Sequence, residues 1–248
     1  MQDTIGLSAF APDRRFAREI ESDMGKRLIM RPPSQITTRR LRMDDTQAIV
    51  ETASAIKNGE LVVFPTDTLY GIGTNAFDEQ AILRLYAAKE RPFSKGIPIL
   101  LADLNDIDKV ISSVSAIARK LIAKFWPGPL TLILPRHPRL PEVISENENV
   151  AVRIPDNDVA RAVIRLAGGA VATSSANRSG SEPAQTAEQA LMELDGKVTI
   201  VLDTGPTVQA LPSTIVDCTR ETLHILRQGP IELQDLYLID TSIEWVIS

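Results

Sequence analysis

The sequence predicts one α/β domain in which a mixed, twisted β-sheet is flanked by helices. Three observations predict it. From Thr38 to about Gly229, short runs of Val, Ile and Leu alternate with stretches of helical periodicity. Aromatic residues make up only 4% of the chain, which suits strands covered by helices rather than a Tyr-rich sandwich. Turn residues join some of the short strands, which argues against a purely parallel, doubly wound order. Hydrophobic residues, at 44% of 248, are enough to bury a substantial core and exclude global disorder.

The elements follow in order. Residues 1–37 read as an extension and linker, with a short helix carrying Phe16, Ile20 and Met24 at i, i+4 spacing and a break at Arg31-Pro32-Pro33-Ser34. Asp44-Asp45 precedes a helix through about Lys57, which Asn58-Gly59 closes. Leu61–Phe64 is a buried strand stopped by Pro65. Asp78 caps a helix whose apolar stripe is Ile82, Leu85 and Tyr86 and which ends near Arg91-Pro92. Strands follow at Ile97–Leu101, Leu130–Leu134, Val150–Ile154, Ala170–Thr173, Val198–Leu202, Thr214–Val216 and His224–Leu226. Helices fall at Ile117–Phe125, Val159–Ala167 and after Thr186. One domain is expected over 38–230, with 231–248 as a C-terminal tail.

Bulk composition excludes several classes. A net charge of −5 gives no overall basic field for a nucleic-acid backbone. Cys218 is the only cysteine, so no internal disulfide forms, and with His137 and His224 it falls short of a zinc set. That thiol usage fits a reducing compartment. No apolar run is long enough to span a bilayer. The N-terminus lacks the continuous apolar core of a signal peptide, and Asp3, Asp13, Glu19, Glu21 and Asp23 argue against an acidic-poor transit peptide. The expectation is a cytoplasmic protein with no membrane contact.

Polar residues interrupt the apolar runs at strand ends, where open α/β sheets bind ligands. Pro65-Thr66-Asp67-Thr68-Leu69-Tyr70-Gly71 is one such segment; Lys89-Glu90-Arg91-Pro92 with Ser94-Lys95-Gly96 is another. Val152–Pro155, Thr173–Asn177, Pro212-Ser213-Thr214 and Arg227-Gln228-Gly229 complete the set. Lys89, Arg91, Lys95, Arg153 and Arg227, with the hydroxyls, suit a ligand carrying phosphates and a carboxylate. Taken alone, Lys89 and Arg91 read first as cations closing a helix dipole. Arg153 inside an apolar strand serves either a ligand carboxylate or a structural salt bridge. The Thr173–Asn177 run fits a turn capped by its own side chains. Cys218 reads as a small core residue. No G-x-x-x-x-G-K-[ST] and no G-x-S-x-G is present. Gly71-Ile72-Gly73-Thr74-Asn75-Ala76 matches a weak dinucleotide pattern and reads instead as a glycine-permitted bend.

In order, Lys89-x-Arg91-Pro92 and Ser175-x-Asn177 resemble the KxR…SxN tetrad of the YrdC-like threonylcarbamoyl-AMP synthases. Around them stand P-T-D-T-x-Y-G, W-P-G-P-L-T, V-A-V-R-x-P, T-S-S-A-N-x-S-G, P-S-T-I-V-D and R-Q-G. The resemblance implies a deep, electropositive cleft. It also implies synthesis of threonylcarbamoyl-AMP and pyrophosphate from L-threonine, bicarbonate or CO2, and ATP, for a tRNA threonylcarbamoyl transferase machinery. By that resemblance Lys89, Arg91, Ser175 and Asn177 are catalytic. Lys95, Pro183 and Arg227 join them around ATP. Thr66, Tyr70, Arg153, Thr173 and Ser213 bind threonine. Mg2+ accompanies ATP without a protein cage, and direct tRNA binding stays open. Many members carry a histidine after the strand that follows KxR. This chain has none there, so that ligand role is either absent or taken by Lys95. The chain resembles the short form of the family. A non-catalytic paralogue that binds nucleotide or RNA is the alternative, and the intact tetrad speaks against it.

Overall fold

The structure, a computed structural model, describes residues 36–43, 46–209, 211–220, 222–239 and 245–247. The helix expected around Phe16, Ile20 and Met24 and the Arg31–Ser34 break lie outside the described residues, as do Asp44 and Asp45. In chain order the elements are β1 (Arg39–Arg42), α1 (Thr46–Lys57), β2 (Val62–Pro65), β3 (Tyr70–Asn75), α2 (Glu79–Lys89) and β4 (Ile99–Leu101). Next come α3 (Ala116–Phe125), β5 (Leu130–Pro135), β6 (Asn149–Arg153), α4 (Asp158–Ala167) and β7 (Ala170–Ser175). Then follow α5 (Ala187–Leu194), β8 (Ile200–Asp203), β9 (Thr214–Asp217), β10 (Leu223–Arg227), α6 (Leu233–Tyr237) and β11 (Trp245–Ile247). Short 3-10 turns stand at Leu104–Lys109 and Glu142–Ile144.

Side-chain caps set where the helices start. Asp78 accepts from Ala81 N at 3.1 Å, Ser115 from Ala118 N at 3.3 Å, Asn157 from Ala160 N at 2.9 Å and Thr186 from Gln189 N at 3.2 Å. The strands form one mixed sheet in the order β1-β8-β2-β3-β7-β4-β6-β5-β9-β10-β11. β1–β8, β2–β8, β4–β6, β5–β9 and β10–β11 pair in parallel. β2–β3, β3–β7, β4–β7, β5–β6 and β9–β10 pair antiparallel.

Two departures from the sequence reading have clear causes. The segment read as a bend is β3, paired on both sides with β2 and β7. Its glycines serve close approach: a Cβ on Gly73 would stand 2.8 Å from Phe64 Cε1, and one on Gly71 would stand 2.8 Å from Thr173 Cγ2. The residues after 230 also join the core, because Ile231 and Leu236 are buried in it and β11 adds to the sheet.

Strand alternation sends neighbouring side chains into two cores. Val62, Phe64, Val171 and Leu202 pack with Ile56 of α1 and with Val163 and Ile164 of α4. Leu61, Val63, Leu132, Val152 and Ala172 pack on the opposite face with Ile82, Leu85 and Tyr86 of α2 and Leu121 of α3. Cys218 belongs to this second core, and burial pushes its thiol up to about 12. Among the described residues, no helix covers the continuation of the α1 and α4 face across β6, β5 and β9. Ala151, Arg153, Thr131, Ile133 and Ile215 line a cleft there.

Candidate functional site

That half-face is the floor of a cleft of about 480 Å³. Strand periodicity selects its floor residues, since Asn149, Ala151 and Arg153 alternate with the core residues Val150 and Val152 along β6. Thr66, Thr68 and Leu69 wall one side, Thr173, Ser174 and Ser175 another, and Pro212, Ser213, Leu226 and Arg227 a third. Arg91, Ser94, Gly96 and residues 144–147 close the far end. The ionised walls are Arg91, Arg153 and Arg227, with one carboxylate, Glu146, among the described residues.

Arg153 is 5% exposed and fixed on three sides. Its Nε donates to Gly128 O at 2.9 Å, one terminal nitrogen to Thr68 Oγ1 at 3.0 Å, and the other to the Asp67 carboxylate. The salt bridge left open from the sequence is therefore present. Three of the five guanidinium N–H groups are engaged and two remain for a ligand. Burial lowers the Arg153 pKa, which Asp67 opposes. Asp67 itself is buried, and its second oxygen has no partner.

At the same end, Arg227 donates from Nε to Ser213 O at 2.9 Å and from a terminal nitrogen to Ser213 Oγ at 3.1 Å. The Ser213 hydroxyl also lies 2.7 Å from Thr131 Oγ1. Burial, then repulsion from Arg153, lowers the Arg227 pKa. Two cations held this close are an arrangement an anion would relieve. Thr66 is used locally: its hydroxyl donates to Leu69 O at 2.7 Å and accepts from Leu69 N at 3.1 Å, which shapes the turn that presents Thr68. Thr173 N donates to Pro98 O at 2.8 Å, tying β7 to the segment before β4.

At the far end, Arg91 is bonded to its own loop, from Nε to Lys95 O at 2.7 Å and from a terminal nitrogen to Gly96 O at 2.8 Å. Burial lowers its pKa. Glu146 has one shielded oxygen without a partner.

The structure gathers Thr66, Arg91, Arg153, Thr173, Ser175, Pro183, Ser213 and Arg227 into this cleft. Four expected site residues are not among its walls. Tyr70 is fully buried, donating from its hydroxyl to Gly205 O at 2.7 Å and accepting from Thr204 N at 3.1 Å, so its polar end is spent beneath the β8–β9 loop. Lys95 is exposed and contributes its carbonyl to Arg91. Lys89 is 1% exposed, with its ammonium bonded to the carbonyls of Ser175 and Asn177. Burial, reinforced by Arg91, pushes Lys89 down to about 7. Asn177 is buried behind Ser175, donating to Arg178 O at 2.9 Å and Ser181 O at 2.6 Å, while its Oδ1 has no partner. The sequence reading quoted Thr68 and Thr131 within its motifs but gave neither a role, and it did not single out Glu146. For Thr131 the signal was present, since alternation along Leu130–Leu134 sets it on the face opposite Leu130, Leu132 and Leu134.

The family model Sua5/YciO/YrdC, described as telomere recombination, matches residues 54–229. The chain belongs to this family. A threonylcarbamoyl-AMP synthase of Bacillus subtilis is 36% identical over 201 residues, covering 80% of this chain and 58% of that protein. This member of the Sua5/YciO/YrdC family thus spans little more than half of that relative. A putative threonylcarbamoyl-AMP synthase of Mycobacterium tuberculosis is 40% identical over 190 residues, covering 76% and 87%. Among solved structures, P. abyssi Sua5 complexed with L-threonine superposes with a TM-score of 0.79 at 34% identity, covering 84% of this chain and 62% of that one. E. coli YciO, at 23% identity and a TM-score of 0.71, shares the fold over 82% of this chain and 99% of its own. Among the described residues, no helix is long and apolar enough to cross a membrane.

Proposed function

We propose that this chain is an L-threonylcarbamoyladenylate synthase that serves tRNA threonylcarbamoylation. The observation that carries the reading is the convergence of Arg91, Arg153 and Arg227, with Thr68, Thr131, Ser175 and Ser213, on one cleft. The resemblance to proteins named for this activity, at 36% and 40% identity, supports it.

The amine of threonine adds to CO2, supplied from bicarbonate, and loses a proton to give N-carboxythreonine. The new carboxylate oxygen attacks the α-phosphorus of ATP, and the bond to the β-phosphate oxygen breaks to release pyrophosphate. Both partners of the adenylation step, N-carboxythreonine and ATP, are anions, so the protein's task is charge neutralisation and alignment rather than supplying a nucleophile. In this reading the two unengaged N–H groups of Arg153 take the threonine carboxylate, flanked by Thr66, Thr173 and Ser213. Arg91 and Arg227 neutralise phosphates, Ser175 holds the nucleotide, and Pro183 lines the mouth.

Mg2+ carried on the phosphates would further neutralise the transferring group. Among the described residues, no three His, Cys, Asp or Glu side chains lie together. Glu146 offers a hard oxygen without a partner, which fits a cation bound chiefly by phosphates and water. The intermediate is passed to a separate transferase, and the net charge of −5 gives no general field for tRNA itself. The cytoplasm is the matching compartment.

The test is pyrophosphate release from ATP with threonine and bicarbonate omitted in turn. Release should need both. Release without threonine, or equally fast with any amino acid, rejects the assignment.

A further inference from the structure

The buried ammonium of Lys89 stands out because it is ionisable, deep and absent from the cleft wall. Burying a cation is costly unless polar partners surround it. Here the partners are backbone carbonyls. Lys89 Nζ donates to Ser175 O and to Asn177 O. Ser175 is the last residue of β7, where the ladder ends with Ala176 N donating to Tyr70 O at 2.8 Å. Carbonyls leaving a strand end need new partners, and these two find theirs in one side chain. The backbone returns the contact, since Ser179 N donates to Lys89 O at 2.8 Å.

We propose that Lys89 is a positioning residue: its amino group pins the 175–179 turn to the end of α2, fixing Ser175 relative to Arg91. Those two residues face the same cleft from different segments. Glu90 lies between Lys89 and Arg91 in the left-handed region at φ 52°, so the chain turns sharply and sends one cation under the turn and the other into the cleft. What the turn requires of Lys89 is two N–H donors at the right place. A positive charge on the ligand is not part of that requirement.

The turnover arm of the test rests on the synthase reading; the exchange arm does not. In the ligand-free protein, Lys89→Met should speed hydrogen exchange at Ala176, Asn177 and Ser179 by about tenfold or more while β5 amides keep their protection. Misplacing Ser175 should cost on the order of 100-fold in turnover. Lys89→Gln keeps two N–H donors without charge and should retain both the protection and most of the turnover. Lys89→Met combined with Ser175→Ala should lose little more than the worse single variant. Unchanged exchange in Lys89→Met overturns the pin. So does a Lys89→Gln variant that is protected yet as inactive as Lys89→Met, or a double variant whose losses multiply. If Lys89→Met does not fold, Lys89→Gln and its exchange pattern carry the test. Wild-type protein without turnover would reject the synthase reading and leave the exchange result to decide the pin.

Discussion

Removing the Asp67 carboxylate tests whether the cleft floor depends on a buried ion pair. Arg153 is 5% exposed, and its other protein contacts, Thr68 Oγ1 and Gly128 O, are neutral. Asp67→Ala would strand a guanidinium in the interior, and breaking one partner of a buried pair costs about 3–5 kcal/mol. In a chain of this size each kcal/mol moves the midpoint by about 2–4 °C, so Tm should fall by roughly 6–20 °C. Asp67→Asn keeps an acceptor and should lose less. Adding Arg153→Met to Asp67→Ala should restore much of the loss, because an apolar pair of similar volume is often as stable as a buried ion pair. Thermal unfolding by circular dichroism at neutral pH, without ligand, measures all three. A fall of less than about 2 °C for Asp67→Ala would refute the reasoning. So would a double variant whose loss is the sum of the two single losses, since residues in contact are expected to couple.

Three further outcomes are expected. Because Lys89 is held near 7 when folded and near 10.5 when unfolded, the unfolded chain binds more protons between those values, so stability rises as pH climbs from 7 to 10.5. The ceiling is on the order of 5 kcal/mol, lowered by the carbonyls that favour the charged form; urea titrations at pH 7 and 9.5 should show a pH slope that Lys89→Met lacks, and equal slopes would count against it. Gly73→Ala puts a methyl 2.8 Å from Phe64 Cε1 and 2.9 Å from Val171 Cγ1. That overpacking should cost about 1–3 kcal/mol in denaturant unfolding, and an unchanged midpoint would refute it. Glu146→Gln should raise the Mg2+ concentration for half-maximal pyrophosphate release by about tenfold, the equivalent of losing one contact to a charged group; an unchanged Mg2+ dependence would release Glu146 from that role.

The sequence made most elements legible because their signals are local. Asp78, Ser115, Asn157 and Thr186 stand at the caps they occupy, and aliphatic runs mark all but the edge strands and β3. β3 was illegible because its glycines answer to Phe64 on the partner strand and to Val171 and Thr173, about a hundred residues further on, which press against it. The cleft was legible as a set of motifs, since every quoted motif meets it or packs behind it. Which member faces the cleft was not, because that depends on depth. Lys89 and Arg91 look equivalent in sequence, yet one is bonded to carbonyls beneath a turn and the other lies in the wall. Tyr70 likewise looks like a ligand group until its hydroxyl is found between Gly205 and Thr204. Glu146 sits in an irregular stretch before β6 with no periodicity to locate it.

The left-handed residue at position 90 carries a constraint that its exposed side chain hides. Left-handed φ is tolerated by glycine and asparagine and resisted by β-branched residues, while proline is barred by its fixed φ and missing N–H. The backbone angle is therefore the tighter demand at this position, since the Glu90 carboxylate makes only exposed ion pairs, 3.6 Å from Arg178 and 3.5 Å from Lys197. A library varied here would be filtered chiefly by shape: Gly and Asn variants would keep the divergence of the two flanking cations, and Val, Ile or Pro would realign them. One solvent-facing position thereby governs the division of labour between a buried donor and a cleft-facing one.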